Sequence, residues 1–358
     1  MFLIMENIKF LHTADLHLGS ALINLSDPLK AKVRRRELID TFKRMADYAQ
    51  INGVNGFIVA GDLFDSGAVS PLLKKEVADI ISSASSVVFF LLGGNHDSKS
   101  FDDDFVSMLP QNAVVLQHGK TCAFSEVNVT GYYIDEAFCV EEIPVFDEEK
   151  FNIVVLHGQT TSGNAGQINI KKLQGKNIDY LALGHIHSFS KGNIDKRGVY
   201  AYSGCPEGRG FDECGEKGFV LFDTQGGVVF KPYARRTCRE IKVDVSGCDG
   251  YVSRLNRISK EIAVFPADDM FKIVLTGETQ NAASDLNMLR DKLSERLFFV
   301  KIEDNTKLKI DRERLRKEMS LKGEFLRTVE RLKASPEEKE KILRLGLKAM
   351  SGEEADCD

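Results

Sequence analysis

The chain has no tryptophan, no Cys-x-x-Cys pair and no apolar run longer than one strand. Without about 18 consecutive apolar residues, a membrane-spanning helix is excluded. The seven cysteines are odd in number and scattered. That argues against a disulfide frame and for a reducing compartment. Met1 to Met5 lack the basic lead and apolar length of a signal peptide, and Glu6 ends them, so a cytoplasmic protein is expected. Positive charge is not in excess either. A formal net charge of −5 leaves any nucleic-acid binding to local basic patches and bound metal. Internal repeats and low-complexity segments are missing too.

What is present fits a globular protein of about two domains: 358 residues, 43% hydrophobic and 28% charged. Short apolar runs alternate with helical patterns through the first hundred residues. Ile8 to Ala14, Gly56 to Ala60 and Val87 to Leu92 read as buried strands. Between them, Val33 to Gln50 carries Leu38, Phe42, Met45, Ala46 and Ala49 at helical spacing, and Ser70-Pro71 opens a second helix. This alternation predicts an α/β core with a largely parallel sheet, whose strand ends gather at one edge. Further on, Ala113 to Leu116 and Thr121 to Val129 suggest a hairpin turning at His118 to Lys120. Strands are also expected at Asn152 to Leu156, Tyr180 to Leu183, Phe219 to Phe222 and Val228 to Phe230.

Chemistry recurs where these strands end. The first reaches Asp15-Leu16-His17, the second Gly61-Asp62, and the third Gly93-Gly94-Asn95-His96-Asp97. Later runs reach His157-Gly158 and Gly184-His185-Ile186-His187. Residues at i and i+2 of an extended segment share a face, so Asp15 with His17, and His185 with His187, can reach one ion. Taken singly, each loop reads as a capped turn beside a surface histidine. Recurrence argues otherwise, because five of the seven histidines lie just beyond strand-like runs. His12, inside a strand, and His118, in a turn, are expected to be structural and exposed respectively. The pool of Asp15, His17, Asp62, Asn95, His157, His185 and His187 contains no thiolate. It suits Mn²⁺, Fe²⁺ or Zn²⁺ and is too large for one tetrahedral ion. Arg34 to Arg36 read as a solvated helix face. Arg209, in the glycine-rich Gly204 to Glu213 loop, is a candidate for holding phosphate, with a surface ion pair as the alternative.

After Ser246 to Gly250 the pattern changes. Phe271 to Leu275, a helix through Leu286, Leu289, Leu293 and Leu297, and Phe298 to Ile302 predict a compact β-α-β unit. A charged helical tail follows, with a capping box at Ser335 to Glu338. From Lys307 to Lys333 it carries ten Lys/Arg against five Asp/Glu, with Leu321, Phe325, Leu326, Val329 and Leu332 at helical spacing. The expected domains are therefore 1–246, 247–317 and 318–358.

The Asp15-Leu16-His17, Gly61-Asp62, Gly94 to Asp97, His157 and Gly184 to His187 blocks, in this order, resemble the calcineurin-like metallophosphoesterases. Leu11 to Gly19, Gly61 to Asp65 and the Gly204 to Glu213 loop further resemble SbcD-type DNA repair exonucleases, the YhaO-like bacterial members among them. The resemblance implies a four-layer α/β/β/α sandwich and two divalent ions, usually Mn²⁺. It places Asp15, His17 and His187 on one ion, Asn95, His157 and His185 on the other, and Asp62 between them. It implies, too, a capping domain at 247–317 and a tail at 318–358 that binds an SbcC-like coiled-coil ATPase, with DNA as substrate and a homodimer left open. A metal pair lowers the pKa of water and clamps an in-line displacement. His96 is then free to assist the leaving oxygen, with Asp97 orienting it. Some family nucleases carry a histidine where this chain has Asp65, so that residue's role does not carry over. The same metal blocks serve phosphoprotein phosphatases, cyclic-nucleotide phosphodiesterases and nucleotide pyrophosphatases. The extra β-α-β unit and basic tail favour the nuclease. A non-catalytic scaffold would have no need of the full ligand set.

Overall fold

The computed structural model describes residues 7–350 except 23–24, 26, 67, 135–137, 162–167, 249 and 280–284. Met1 to Met5 and the end of the tail, 351–358, therefore lie outside the described residues. The chain divides into two compact units, 1–238 and 239–358.

The first unit begins with β1 (Lys9–Thr13), α1 (Pro28–Ile51), β2 (Gly56–Ala60), α2 (Pro71–Ser83), β3 (Val88–Leu92), α3 (Asp103–Met108) and β4 (Ala113–Val115). It continues with β5 (Thr121–Phe124), β6 (Val127–Tyr132), β7 (Phe151–His157), β8 (Tyr180–Gly184), β9 (Ser190–Asn193), β10 (Val199–Tyr202), β11 (Gly218–Asp223) and β12 (Val228–Pro232). They form two six-stranded sheets, ordered β12-β11-β1-β2-β3-β4 and β5-β6-β7-β8-β10-β9. Strands β1 to β4 run parallel to one another, as do β6, β7, β8 and β10, while β11 on β1, β5 on β6 and β9 on β10 are antiparallel.

Three apolar layers hold these sheets. Helices α1 and α2 press Leu38, Phe42, Met45, Val77 and Ile81 onto Phe57, Val59, Phe89 and Leu91 of the first sheet. The sheets close on each other through Phe10, Ile58, Phe90, Val129, Ile153, Val155, Tyr180 and Phe222. The outer face of the second sheet is covered, among the described residues, by short 3₁₀ turns at Val140–Glu142 and Ile170–Leu173 with their flanking loops. Because strands in the middle layers are buried on both faces, they read in sequence as continuous apolar runs.

Three local expectations are corrected. Helix α1 starts at Pro28, because the Asp27 carboxylate caps the Leu29 and Lys30 N–H groups and proline suits the first turn. Ala113 to Leu116 and Thr121 to Val129 are not a hairpin: β4 pairs with β3 in one sheet, β5 with β6 in the other. The hairpin is β5–β6, turning at Ser125, whose φ of 55° supplies the left-handed bend. And Arg34 is not on a solvated face. It is fully buried, donating to Glu207 (3.0 Å), Glu37 (2.6 Å) and the Gly208 carbonyl (2.9 Å). Arg36 does lie in solvent, paired with Asp40 and Glu76.

The second unit contains β13 (Cys238–Asp244, its first residue being the last of the first unit), α4 (Tyr251–Ile262), β14 (Met270–Thr276), β15 (Glu278–Thr279), α5 (Leu286–Ser294), β16 (Phe299–Asp304), β17 (Lys307–Leu308), α6 (Arg312–Lys317), α7 (Leu321–Arg331) and α8 (Pro336–Met350). The division falls between Cys238 and Arg239, ahead of the Ser246 to Gly250 turn, because β13 joins the β-α-β sheet in the order β13-β14-β16. Strands β14 and β16 are parallel, with α4 and α5 burying Ile258, Leu289 and Leu293 against them. In the tail, Ser335 and Glu338 make the reciprocal capping box, at 2.8 and 3.2 Å. Leu326, Val329, Leu343 and Leu347 close α7 onto α8, whereas Leu321 stays exposed. Much of the tail's basic excess is paired locally, as in Arg316 with Glu330 and Arg327 with Glu324.

Candidate metal centre

Strands β1, β2, β3, β7 and β8 deliver their C-terminal ends to one place. Asp15 and His17 follow β1, Asp62 follows β2, His157 ends β7, and His185 and His187 follow β8. The loops are zipped by backbone hydrogen bonds from Asp15 N–H to Gly61 O (3.1 Å) and from His17 N–H to Asp62 O (3.0 Å). Asp62 Oδ2 lies 3.3 Å from His157 Nε2 and 3.8 Å from His17 Nε2, between the two imidazoles. Asp15 Oδ1 lies 3.7 Å from His187 Nε2. Two ligand groups result that are tight enough for one ion each: Asp15, His17 and His187; and Asp15, Asp62 and His157. Asn95 joins the second through its Oδ1, 2.9 Å from His157 Nε2. His185 stands beside it, its ring centroid 5.4 Å from that of His157.

Close approach needs glycine here. A Cβ on Gly94 would come within 2.1 Å of Asp62 Oδ1, so only glycine lets the Asn95 loop close over that aspartate. His96 then donates its backbone N–H to Asp62 Oδ1 at 3.0 Å. The His96 ring is exposed, packed edge-on to His17 with centroids 5.1 Å apart. Its Nδ1 lies 3.3 Å from the Asp65 carbonyl. Asp97, expected to orient that ring, instead turns inward. Its two oxygens accept the N–H groups of Gly94 (2.7 Å) and Phe64 (3.0 Å). Aspartate at this point locks two site loops together, because the backbone turn aims its side chain away from the preceding imidazole. Burial pushes its pKa up to about 6, against the pull of those N–H donors.

The surroundings supply what the motifs did not show. Glu213, buried, takes His187 Nδ1 at 2.7 Å. Arg209 donates to Glu213 at 2.7 Å and to Asp65 at 3.0 Å, so the guanidinium offered for phosphate is held in ion pairs. Asp65 in turn lies 3.2 Å from His17 Nδ1. Glu213 closes the glycine-rich loop in sequence, but its partnership with His187 depends on how that loop folds back. His12 is buried and structural, its Nδ1 3.0 Å from the Tyr180 hydroxyl. His118 is exposed, as its turn position predicts.

Residues 8–189, a little over half the chain, match the calcineurin-like phosphoesterase family. The chain belongs to that family. Over 281 residues it is 27% identical to the DNA double-strand break repair protein Mre11 of Sulfurisphaera tokodaii, covering 70% of this chain and 66% of that one. The metallophosphoesterase YhaO of Bacillus subtilis is 26% identical over 257 residues, covering 64% of this chain and 61% of that one. Mre11 of Methanopyrus kandleri is 27% identical over 285 residues, covering 67% and 60%. The chain thus spans a little under two thirds of the length of these curated relatives.

Calcineurin-like phosphoesterases hold two divalent ions, and the donors here suit that. The His17 Nε2 is buried with no hydrogen-bond partner among the described residues, a state that is costly unless a cation uses it. The cluster's electrostatics attract positive charge. Burial pushes the Asp62 carboxyl up, but the hydrogen bond and charge of His157, the His96 N–H and His17 outweigh it and lower its pKa to about 2. Burial lowers His157 as well, yet Asp62 and Asp15 reverse this and raise it to about 9. Oxygen and nitrogen donors without sulfur select a hard or borderline metal. No helix among the described residues is long and apolar enough to cross a membrane.

Proposed function

We propose that this phosphoesterase is a two-metal phosphodiesterase that cleaves DNA, with Mn²⁺ as its working metal. The observation that carries this reading is the convergence of Asp15, His17, Asp62, His157 and His187 beside an exposed His96. Asp15, His17 and His187 would hold one ion and Asn95, His157 and His185 the other, with Asp62 placed between the two groups. When bound, such a pair offsets phosphate charge and lowers the pKa of water. Asn95 adds a ligand atom without adding negative charge, which keeps the site attractive to a phosphodiester. His96 sits at the mouth and hydrogen-bonds or protonates the leaving oxygen. Asp97 keeps the loop that carries His96 in place.

DNA as substrate is supported by relatives named for double-strand break repair, and by a second unit that a small-molecule phosphatase would not need. The helical tail, where Met319 and Leu321 are exposed, is our choice for docking an SbcC-like ATPase. Linear DNA, p-nitrophenyl phosphate and cyclic nucleotides, offered side by side with Mn²⁺, test the substrate class. Cleavage of DNA is the expected result. Turnover of monoesters or cyclic nucleotides alone would transfer the site to the small-molecule or phosphoprotein branch. Co-purification with a large coiled-coil ATPase, lost on removal of 318–358, tests the partner.

A further inference from the structure

The two halves of the metal centre are backed differently. On one side, His17, Asp65, Arg209, Glu213 and His187 form a continuous chain of contacts. His17 Nδ1 lies 3.2 Å from Asp65 Oδ1, and the same oxygen accepts Arg209 Nη1 at 3.0 Å. Arg209 Nη2 reaches Glu213 Oε1 at 2.7 Å, and that oxygen lies 2.7 Å from His187 Nδ1. Each histidine of this half therefore has a carboxylate behind its ring. On the other side, His157 Nδ1 faces the neutral carbonyl of Ala60 at 2.9 Å. A carboxylate behind a metal-binding imidazole fixes its tautomer and raises its basicity, and a neutral carbonyl does less.

Two carboxylates aimed at adjacent histidines repel each other, and Glu213 is buried. The Arg209 guanidinium is what allows both to stay, since the separate arms of its rigid planar fork reach Asp65 and Glu213 at once. The loop that carries Arg209 and Glu213 is itself anchored from below. Glu207 and the Gly208 carbonyl accept from the buried Arg34 of α1. We propose that Arg209, Asp65 and Glu213 are positioning residues that make the cation site of Asp15, His17 and His187 the tighter of the two. Arg209 acts by bridging the two carboxylates, not by holding phosphate.

The inference rests on the two-metal reading of the centre, and its test reads binding, not turnover. Mn²⁺ titrated into the full chain, followed by calorimetry and by electron paramagnetic resonance of the free ion, gives two classes of site in the wild type. Glu213→Gln weakens the tight class by about 10- to 100-fold and leaves the weaker class within about twofold. Arg209→Gln does the same, and Arg209→Lys recovers at most part of the loss. Asp65→Asn, at a half-exposed position, decides the matter if Glu213→Gln does not fold, with circular dichroism in EDTA as the check. Parallel weakening of both classes, or no change in either, overturns the proposal while leaving DNA cleavage untouched. A wild type that binds no Mn²⁺ sinks both the proposal and the two-metal reading.

Discussion

Replacing Arg34 by methionine is expected to be the most damaging single change far from the chemistry. Arg34 and Glu207 are both fully buried, with Nη2 3.0 Å from Oε2. Removing the cation leaves the Glu207 charge uncompensated in the interior, a loss of about 3–5 kcal/mol. For a unit of this size that corresponds to roughly 6–20 °C in melting temperature. The lost charge is not all of Glu207's support. Its Oε1 also accepts the Thr41 hydroxyl at 2.7 Å and the Arg235 N–H. A glutamine carbonyl can take over both of those bonds, so Arg34→Met/Glu207→Gln should recover at least half of the loss. Urea unfolding followed by far-ultraviolet circular dichroism measures this, since there is no tryptophan to report. The single variant should lower the midpoint without changing the slope. A loss below about 1 kcal/mol, or a double variant no better than the single one, would refute the buried-pair argument.

His96→Ala should keep Mn²⁺ affinity and lose about 10²- to 10⁴-fold in turnover, checked by metal titration beside steady-state kinetics. Unchanged turnover at saturating Mn²⁺ removes His96 from the reaction. His12 makes an acid-sensitive core. Burial lowers its pKa from 6.5 to about 3. The folded form then binds fewer protons than the unfolded chain between those values. Its stability is complete above pH 6.5 and lost as pH falls toward 3, at about 1.4 kcal/mol per pH unit. His12→Gln, which cannot titrate, should flatten that limb of the stability–pH curve. Parallel curves for the two proteins would show that His12 is not the group responsible.

The strands and the clustered residues at their ends were legible because a doubly buried strand is a continuous apolar run, and several runs stop at acidic or imidazole side chains that the fold gathers in one place. Asp15, His17, Asp62 and His157 are examples. The β4 to β5 segment was not legible. Nothing local distinguishes a turn within one sheet from a crossover between two, and only the partners β3 and β6 decide it. Arg34 misled for a similar reason. Three consecutive arginines look solvated, but α1 rotates just one of them beneath the Glu207 loop. Asp97 follows His96 directly, which suggests a pair, yet adjacent residues on a tight turn point apart. Glu213 and Asp65 matter through contacts with His187 and His17 that sequence spacing cannot specify.

Backbone strain marks the same site without reference to residue type. Outside glycine, positive φ is uncommon. Among the described residues seven non-glycine positions have it, and four of these are proposed ligands: Asp15 (53°), His17 (46°), Asp62 (52°) and His185 (95°). Each such residue costs on the order of 1–3 kcal/mol and persists only where its surroundings over-determine it. Here they do. Asp15 and His17 are tied by N–H groups to Gly61 and Asp62, and His185 N–H donates to both Asp15 oxygens at 3.0 Å. Glycine at any of the four positions would relieve the strain and delete the donor atom. Elsewhere the fold does use glycine for left-handed turns, as at Gly61 beside Asp62. Strain thus falls on proposed ligands, and relief falls on a neighbour such as Gly61. A set of unrelated loop residues would show no such division.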